Sequence, residues 1–89
     1  MKLSTAIMNY VSAKRAGRHF GASGINNAIG ALEPWQADKL ETLIVLVRQK
    51  HSISHMKFTD ADLTSPVDLT RKCDAWEDLA DMVCDEIEE

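Results

Sequence analysis

The chain has 89 residues, enough for one domain with a single modest core. Hydrophobic residues make up 45% of it and its net charge is −4, a composition that excludes disorder throughout. Four glycines and two prolines are too few turn signals for an all-β domain. We therefore predict an all-α fold, a small helical bundle of three longer helices plus one or two short ones, in a single domain over residues 1–89.

The first predicted helix has a basic second half. It begins at a cap provided by Ser4 or Thr5 and runs to about His19, with Gly21 available as its C-terminal stop. Four residues of its second half fall within an arc of roughly 140° and form one basic edge. They are Lys14, Arg15, Arg18 and His19. Such an edge complements the helix dipole, and it is also a surface by which a small regulator contacts nucleic acid.

A short amphipathic helix is predicted next, from an N-cap at Ser23 to Glu33, because Pro34 disfavours helical conformation in the residue before it. The first two helices are similar in outline to a helix-turn-helix, in which Asn26 or Asn27 would read adenine edges. The fit is loose, since Asn27 stands where an apolar packing residue is expected. A plain helical hairpin is the preferred interpretation.

The third predicted helix begins at Pro34 and contains the most apolar stretch, residues 40–51. Apolar side chains cover both the helical spacing and the positions between, namely Leu40, Leu43, Ile44, Val45, Leu46 and Val47. A helix that is apolar on nearly every side must be wrapped by the rest of the chain, so we expect it at the centre of the core. Helix-forming flanks favour this reading over a buried strand.

The last predicted helix follows a long connection over residues 52–65 that lacks periodicity. Ser65, Pro66 and Asp68 supply an N-cap, a first-turn proline and an acidic third position. Apolar residues then repeat at alternating steps of four and three, and they are Leu69, Cys73, Trp76, Ala80, Val83 and Ile87. This stripe predicts packing against the chain's own core or against a second copy, which would make a homodimer through the last helix.

Aromatic residues are expected in the core, and they are Trp35, Trp76, Phe20 and Phe58. An aromatic exposed beside the acidic last helix would instead be the hot spot of a protein interface. Cys73 and Cys84 lie about 16 Å apart along one helix, too far to bridge, and are predicted to be reduced and buried. With no apolar run near the length of a membrane span, we expect a cytoplasmic protein.

Catalytic and metal sites are not indicated by any local motif. His51 and His55 have a zinc-ligand spacing, but the two cysteines are too far apart to join them at one ion. The loop with Asp60 and Asp62 lacks the glycine and the final glutamate of a calcium-binding EF-hand. No nucleophile with an adjacent base and no phosphate-binding glycine loop is present. We expect no enzymatic activity, no metal and no cofactor.

Charge is divided unevenly along the chain. Residues 1–57 carry eight basic and three acidic residues, whereas residues 58–89 carry two basic and eleven acidic ones. Three interpretations follow. The acidic helix docks onto a basic surface of another protein, the basic edge contacts nucleic acid, or the acidic helix lies near the basic segment or forms a solvated face and has no partner.

The first of these interpretations is the preferred prediction. The docking residues would be Asp74, Glu77, Asp78, Asp81, Asp85 and Glu86. They would imitate a row of phosphates and so bind a partner whose basic surface normally binds nucleic acid. Size and charge suit a small inhibitor or regulator of the kind that mobile elements direct at host machinery. The alternative is a small nucleic-acid-binding regulator that uses the basic edge of the first helix.

Overall fold

The structure is a computed structural model that describes residues 2–17, 23–53 and 66–88. Within these ranges the chain forms four α-helices and no strand, which confirms the all-α prediction for this part of the protein. The helices are α1 (Leu3–Arg15), α2 (Ser23–Gly30), α3 (Pro34–Lys50) and α4 (Pro66–Glu86). None of the four combines the length and the apolar character that a membrane crossing requires.

The core lies mainly between α1 and α4. Their contact is the most extensive in the fold, α3 packs on α4 as well, and α2 packs on α1. Tyr10 and Trp76 meet edge to face at its centre, with ring centroids 5.0 Å apart and both side chains fully buried. Such a pair stabilises a fold by about 0.5–1.5 kcal/mol beyond the contribution from burial of its apolar area. Lys14 covers the Tyr10 ring, with Nζ 5.2 Å from the centroid.

The central helix of the core is α4, and the prediction that α3 is wrapped on nearly every side is wrong. One face of α3 is buried, through Leu40, Leu43 and Val47. Val45 and Leu46 are 47% and 49% exposed. The reason is that α3 lays one side on α4, so the apolar residues between the helical positions face away from the contact.

The apolar stripe of α4 is used within the chain. Its described members are at most 4% exposed, and they are Cys73, Trp76, Ala80, Val83 and Ile87. The side chain of Leu69 lies outside the described residues. Because α1 and α3 cover this stripe, the same residues cannot pack against a second copy.

The first helix ends earlier than predicted. Its last residue is Arg15, and Gly17 adopts a left-handed conformation with φ of +73° while its N–H donates to the carbonyl of Lys14 at 3.0 Å. Glycine takes this conformation without steric cost, so the stop lies at Gly17. The predicted stop, Gly21, lies outside the described residues.

The junction between α2 and α3 also differs from the prediction. The second helix ends at Gly30, where we expected Glu33. Glu33 instead precedes α3, and its N–H donates to Oε1 of Gln36 at 2.8 Å. Pro34 and Pro66 begin α3 and α4, as predicted, because a proline in the first turn lacks only an N–H that would have no helical partner.

Candidate functional site

The exposed side of α4 carries a straight row of carboxylates, Asp74, Asp78, Asp81 and Asp85. These four residues follow one another at steps of four, three and four, so at about 100° per residue they lie within a narrow arc. Eleven residues at about 1.5 Å each give the row a length of roughly 16 Å. Glu77 and Glu86 flank the row on its two sides. We call these six residues the acidic face.

On the side of the first helix, Arg15 holds two carboxylates of the acidic face. Its Nη2 lies 2.8 Å from Oδ1 of Asp74, and its Nη1 lies 2.6 Å from Oε2 of Glu77. The hydrogen bond to Glu77 is the main reason that the pKa of Arg15 is raised. This guanidinium joins the end of α1 to the middle of α4.

On the side of the third helix, three groups hold the other edge of the acidic face. Lys39 Nζ lies 3.2 Å from Oε1 of Glu86, and Lys50 Nζ lies 3.1 Å from Oδ2 of Asp78. His51, directly after α3, donates from Nε2 to the same Asp78 oxygen at 2.6 Å. The hydrogen bonds from His51 and then from Lys50 lower the pKa of Asp78.

The two charge halves therefore meet within one molecule, which is the arrangement of the chain that the third interpretation expected. Four residues of the acidic face are ion-paired with the first half of the chain, and Asp81 and Asp85 make no ion pair with any residue that the structure describes. The pairs are exposed to solvent, with Arg15 at 45% and Lys50 at 60%. Exposed pairs contribute only about 0.2–1 kcal/mol each, so an incoming cation can replace them.

The basic edge proposed for nucleic acid is engaged inside the protein where it is described. Lys14 is 5% exposed, and Arg15 is held by the acidic face. Arg18 and His19 lie outside the described residues. In the second helix Asn26 and Asn27 are both exposed, while Ile25 packs into the core.

The two tryptophans have opposite environments. Trp76 is fully buried, as predicted, but Trp35 is 55% exposed and the expectation that it lies in the core is wrong. Its Nε1 donates to Oε2 of Glu33 at 2.8 Å, which holds the indole at the surface where α3 begins. Phe20 and Phe58 lie outside the described residues.

The cysteines also differ from each other. Cys73 is fully buried, and burial raises the pKa of its thiol. Cys84 is exposed, so the prediction that both are buried is wrong. Both lie on the edge of α4 that faces α1, but Cys84 stands near the start of α1, in a shallow groove with Thr5 and Asp81. Among the described residues no group of three histidines, cysteines or carboxylates could hold a metal ion.

Two features of this surface were missed by sequence reasoning. Glu88 reaches back to Ser4 and caps α1, with nothing in the sequence to signal it. Leu46 lies eleven residues, or about three turns, after Trp35, so both stand on one side of α3. The sequence shows that spacing, but because we expected both residues to be buried, we did not predict a shared exposed surface.

No protein-family model matches the chain. The comparisons with curated proteins and with solved structures find no significant match to either. A function for this chain has therefore to be argued from its own surface.

Proposed function

We propose that this chain is a cytoplasmic, non-enzymatic helical-bundle protein that binds another protein through the acidic face of α4 and so regulates or inhibits it. The carrying observation is the straight row of four aspartates, in which Asp81 and Asp85 have no cationic partner in the described structure. Among the described residues three cations, Arg15, Lys39 and Lys50, pair with the six carboxylates of the acidic face, which leaves an excess of negative charge in this part of the structure. Two free thiols fit a reducing compartment.

The partner that this surface fits is a protein with a basic patch, including a patch that normally binds phosphates. A negative row about 16 Å long steers such a patch during diffusional encounter and accelerates association at low salt. On docking, cations of the partner take Asp81 and Asp85 first. They then exchange with Arg15 or Lys50 at the neighbouring carboxylates, at a cost of about 1 kcal/mol or less per pair.

Other partners are less well supported. A homodimer through α4 has to bring two acidic faces together, since the apolar stripe is buried within the chain, and like charges oppose that contact. Nucleic acid would have to displace Asp74 and Glu77 from Arg15, with Lys14 buried beside it. Binding of a labelled random-sequence duplex, followed by anisotropy at about 50 and 200 mM salt, tests the nucleic-acid alternative.

The test of the proposal removes charge from the acidic face without removing the ion pairs of the fold. The variant is Asp81→Asn with Asp85→Asn, and the matched control is Asp38→Asn with Glu41→Gln, two exposed residues on α3. The control changes the net charge by the same amount at another place. The parent chain, the variant and the control are each used to capture proteins from the native cell. We then purify the proteins that the parent chain and the control capture but the variant does not.

The decisive quantity is the association rate constant of a purified partner. We expect the Asp81 and Asp85 variant to lower it about tenfold at low salt and to flatten its salt dependence, while the control leaves both unchanged. If the variant and the control lowered the association rate constant equally, net charge alone would explain the effect. That outcome would contradict a docking role for α4.

A further inference from the structure

The acidic face has two edges of different character. Toward α1 the neighbouring surface is a shallow groove that includes Thr5, Cys84 and the half-buried Met8, with no exposed large apolar side chain among the described residues. Toward α3 it carries large apolar residues, the exposed Trp35 and Leu46 and the half-buried Met82, interspersed with the ion-paired Lys39 and Lys50. The apolar residues of this edge give a partner an anchoring contact that charge alone does not supply.

The ion pairs place these apolar residues beside the carboxylates. On α3, Lys39 lies four residues after Trp35, and Lys50 lies four residues after Leu46, so all four share one side of the helix. Both lysines reach α4, which identifies this side of α3 as the one next to the acidic face. Leu46 therefore lies between the two ion pairs.

On α4 the same edge is continued by Met82. It lies four residues after Asp78 and four before Glu86, the two carboxylates that the lysines of α3 hold. Asp81 and Asp85, which have no ion pair in the described part of the chain, stand next to it on the solvent side. Leu46 and Met82 thus lie between the two ion pairs and Trp35 lies beyond Lys39, in a strip that has two available carboxylates along one border.

We propose that this strip binds an amphipathic basic helix of the partner, with large apolar residues on one face and lysine or arginine on the adjacent face. The inference rests on the proposed function and specifies its partner. Apolar residues of the bound helix cover Leu46 and Met82 and, about three turns of α3 away from Leu46, Trp35. Its cations meet Asp81 and Asp85. The carboxylate row, about 16 Å long, matches roughly three turns of such a helix.

The indole of Trp35 is suited to be the anchor of this contact. Its Nε1 already donates to Glu33, so the ring keeps one orientation while more than half of its surface remains open. A ring held in place loses little conformational entropy when a partner covers it. Tryptophan is also the residue type most enriched among interface hot spots, together with tyrosine and arginine.

The probes for the test are two synthetic peptides of about 14 residues, long enough at about 1.5 Å per residue to span the row. One is a lysine and leucine helix whose leucines form a single face, and the other replaces every leucine by glutamine at the same charge. Titration calorimetry measures both against the whole protein. We expect the amphipathic peptide to bind at least about tenfold more tightly.

Neighbouring residues of α3 give a matched control. Leu46 and Val45 are almost equally exposed, at 49% and 47%, but point about 100° apart. Leu46→Ser is expected to weaken the amphipathic peptide about fivefold or more, and Trp35→Ser likewise, whereas Val45→Ser leaves its affinity unchanged. Equal effects of Leu46→Ser and Val45→Ser would overturn the assignment of the strip.

The remaining outcomes separate this inference from the proposed function. Equal binding of both peptides, lost on Asp81→Asn with Asp85→Asn, would overturn the apolar strip and leave the acidic face as the docking surface. Absence of binding by either peptide at low salt would overturn both. All of the changed residues are exposed, so we expect each variant to keep the fold. Chemical denaturation of each variant checks this.

Discussion

Glu88, near the end of the chain, caps the helix that begins at Leu3. Its Oε1 accepts the backbone N–H of Ser4 at 2.8 Å, and its Oε2 accepts the Ser4 hydroxyl at 2.6 Å. The first N–H groups of a helix have no partner within the helix, and the N-cap position of α1 is held by Lys2, whose side chain makes no capping bond. A carboxylate at this end also faces the positive end of the helix dipole.

The cap predicts a stability loss when its acceptor is changed. Glu88→Gln replaces one accepting oxygen by an amide nitrogen, which cannot accept from Ser4, and we expect a loss of about 1–2 kcal/mol in the free energy of unfolding. Urea denaturation measures it. Glu41→Gln, the same change at an exposed site of α3, should alter stability by less than about 0.5 kcal/mol. In a double-mutant cycle, Ser4→Ala and Glu88→Gln should be non-additive.

The two glycines at Gly17 and Gly24 predict opposite responses to alanine. Neither has an atom within 4 Å of an added Cβ, so packing does not distinguish them, but Gly17 has a φ of +73°. Gly17→Ala should destabilise the protein by about 1–2 kcal/mol, because an L residue is strained in that conformation. Gly24→Ala, inside α2, should be neutral or stabilise it by up to about 0.5 kcal/mol. Thermal denaturation of the two variants is the measurement, and a loss of equal size would contradict the argument.

Local signals explain how much of the fold was predictable. The prolines at 34 and 66 predict the starts of α3 and α4, and the stripe through Trp76 and Val83 predicts the buried face of α4. These features depend on the sequence of one helix alone. Which helix lies at the centre of the core depends instead on how the helices pack against one another. Apolar content pointed to α3, but the helix that touches both α1 and α3 is α4. Which apolar residue is covered depends on that arrangement.

The sequence predicted which residues form the acidic face, but it did not predict their ion pairs or the exposure of their neighbours. Helical spacing places Asp78, Asp81 and Asp85 together, so their common face follows from the sequence. Their pairing does not, because the groups that hold Asp78 come from the end of α3 and the residue after it, and His51 is 27 residues away in the chain. The exposure of Trp35 was missed for a similar reason, since the rule that aromatic residues are buried takes no account of how α3 is oriented on α4.

The two thiols should differ in reactivity. Cys84 is exposed, whereas Cys73 is buried with a raised pKa and so has less thiolate at neutral pH. A chromogenic disulfide reagent should titrate one thiol in the native protein and two in denaturant. Cys84→Ser should abolish the native reaction, and Cys73→Ser should leave it intact if the variant folds. Two thiols reacting at the same rate in the native protein would contradict the burial of Cys73.

The pair between Asp78 and His51 predicts a pH dependence of stability. Because the folded-state pKa of Asp78 is lowered, chiefly by the hydrogen bond from His51 and then by that from Lys50, the pair stabilises the fold above the unfolded-state pKa of about 3.9. That contribution is lost as the pH falls through the folded-state pKa, since the carboxyl is then protonated in both states.

The variant that isolates this contribution is Asp78→Asn. We expect it to lower the free energy of unfolding by about 1 kcal/mol at pH 7, a modest value because the Asp78 side chain is 31% exposed. The difference from the parent chain should shrink as the pH falls below about 4. Asp81→Asn, the same change on the same face with no ion pair among the described residues, should show no such trend. Urea denaturation at several pH values between about 3 and 7 is the measurement, and a difference that stays constant over this range would show that the charge of Asp78 does not stabilise the fold.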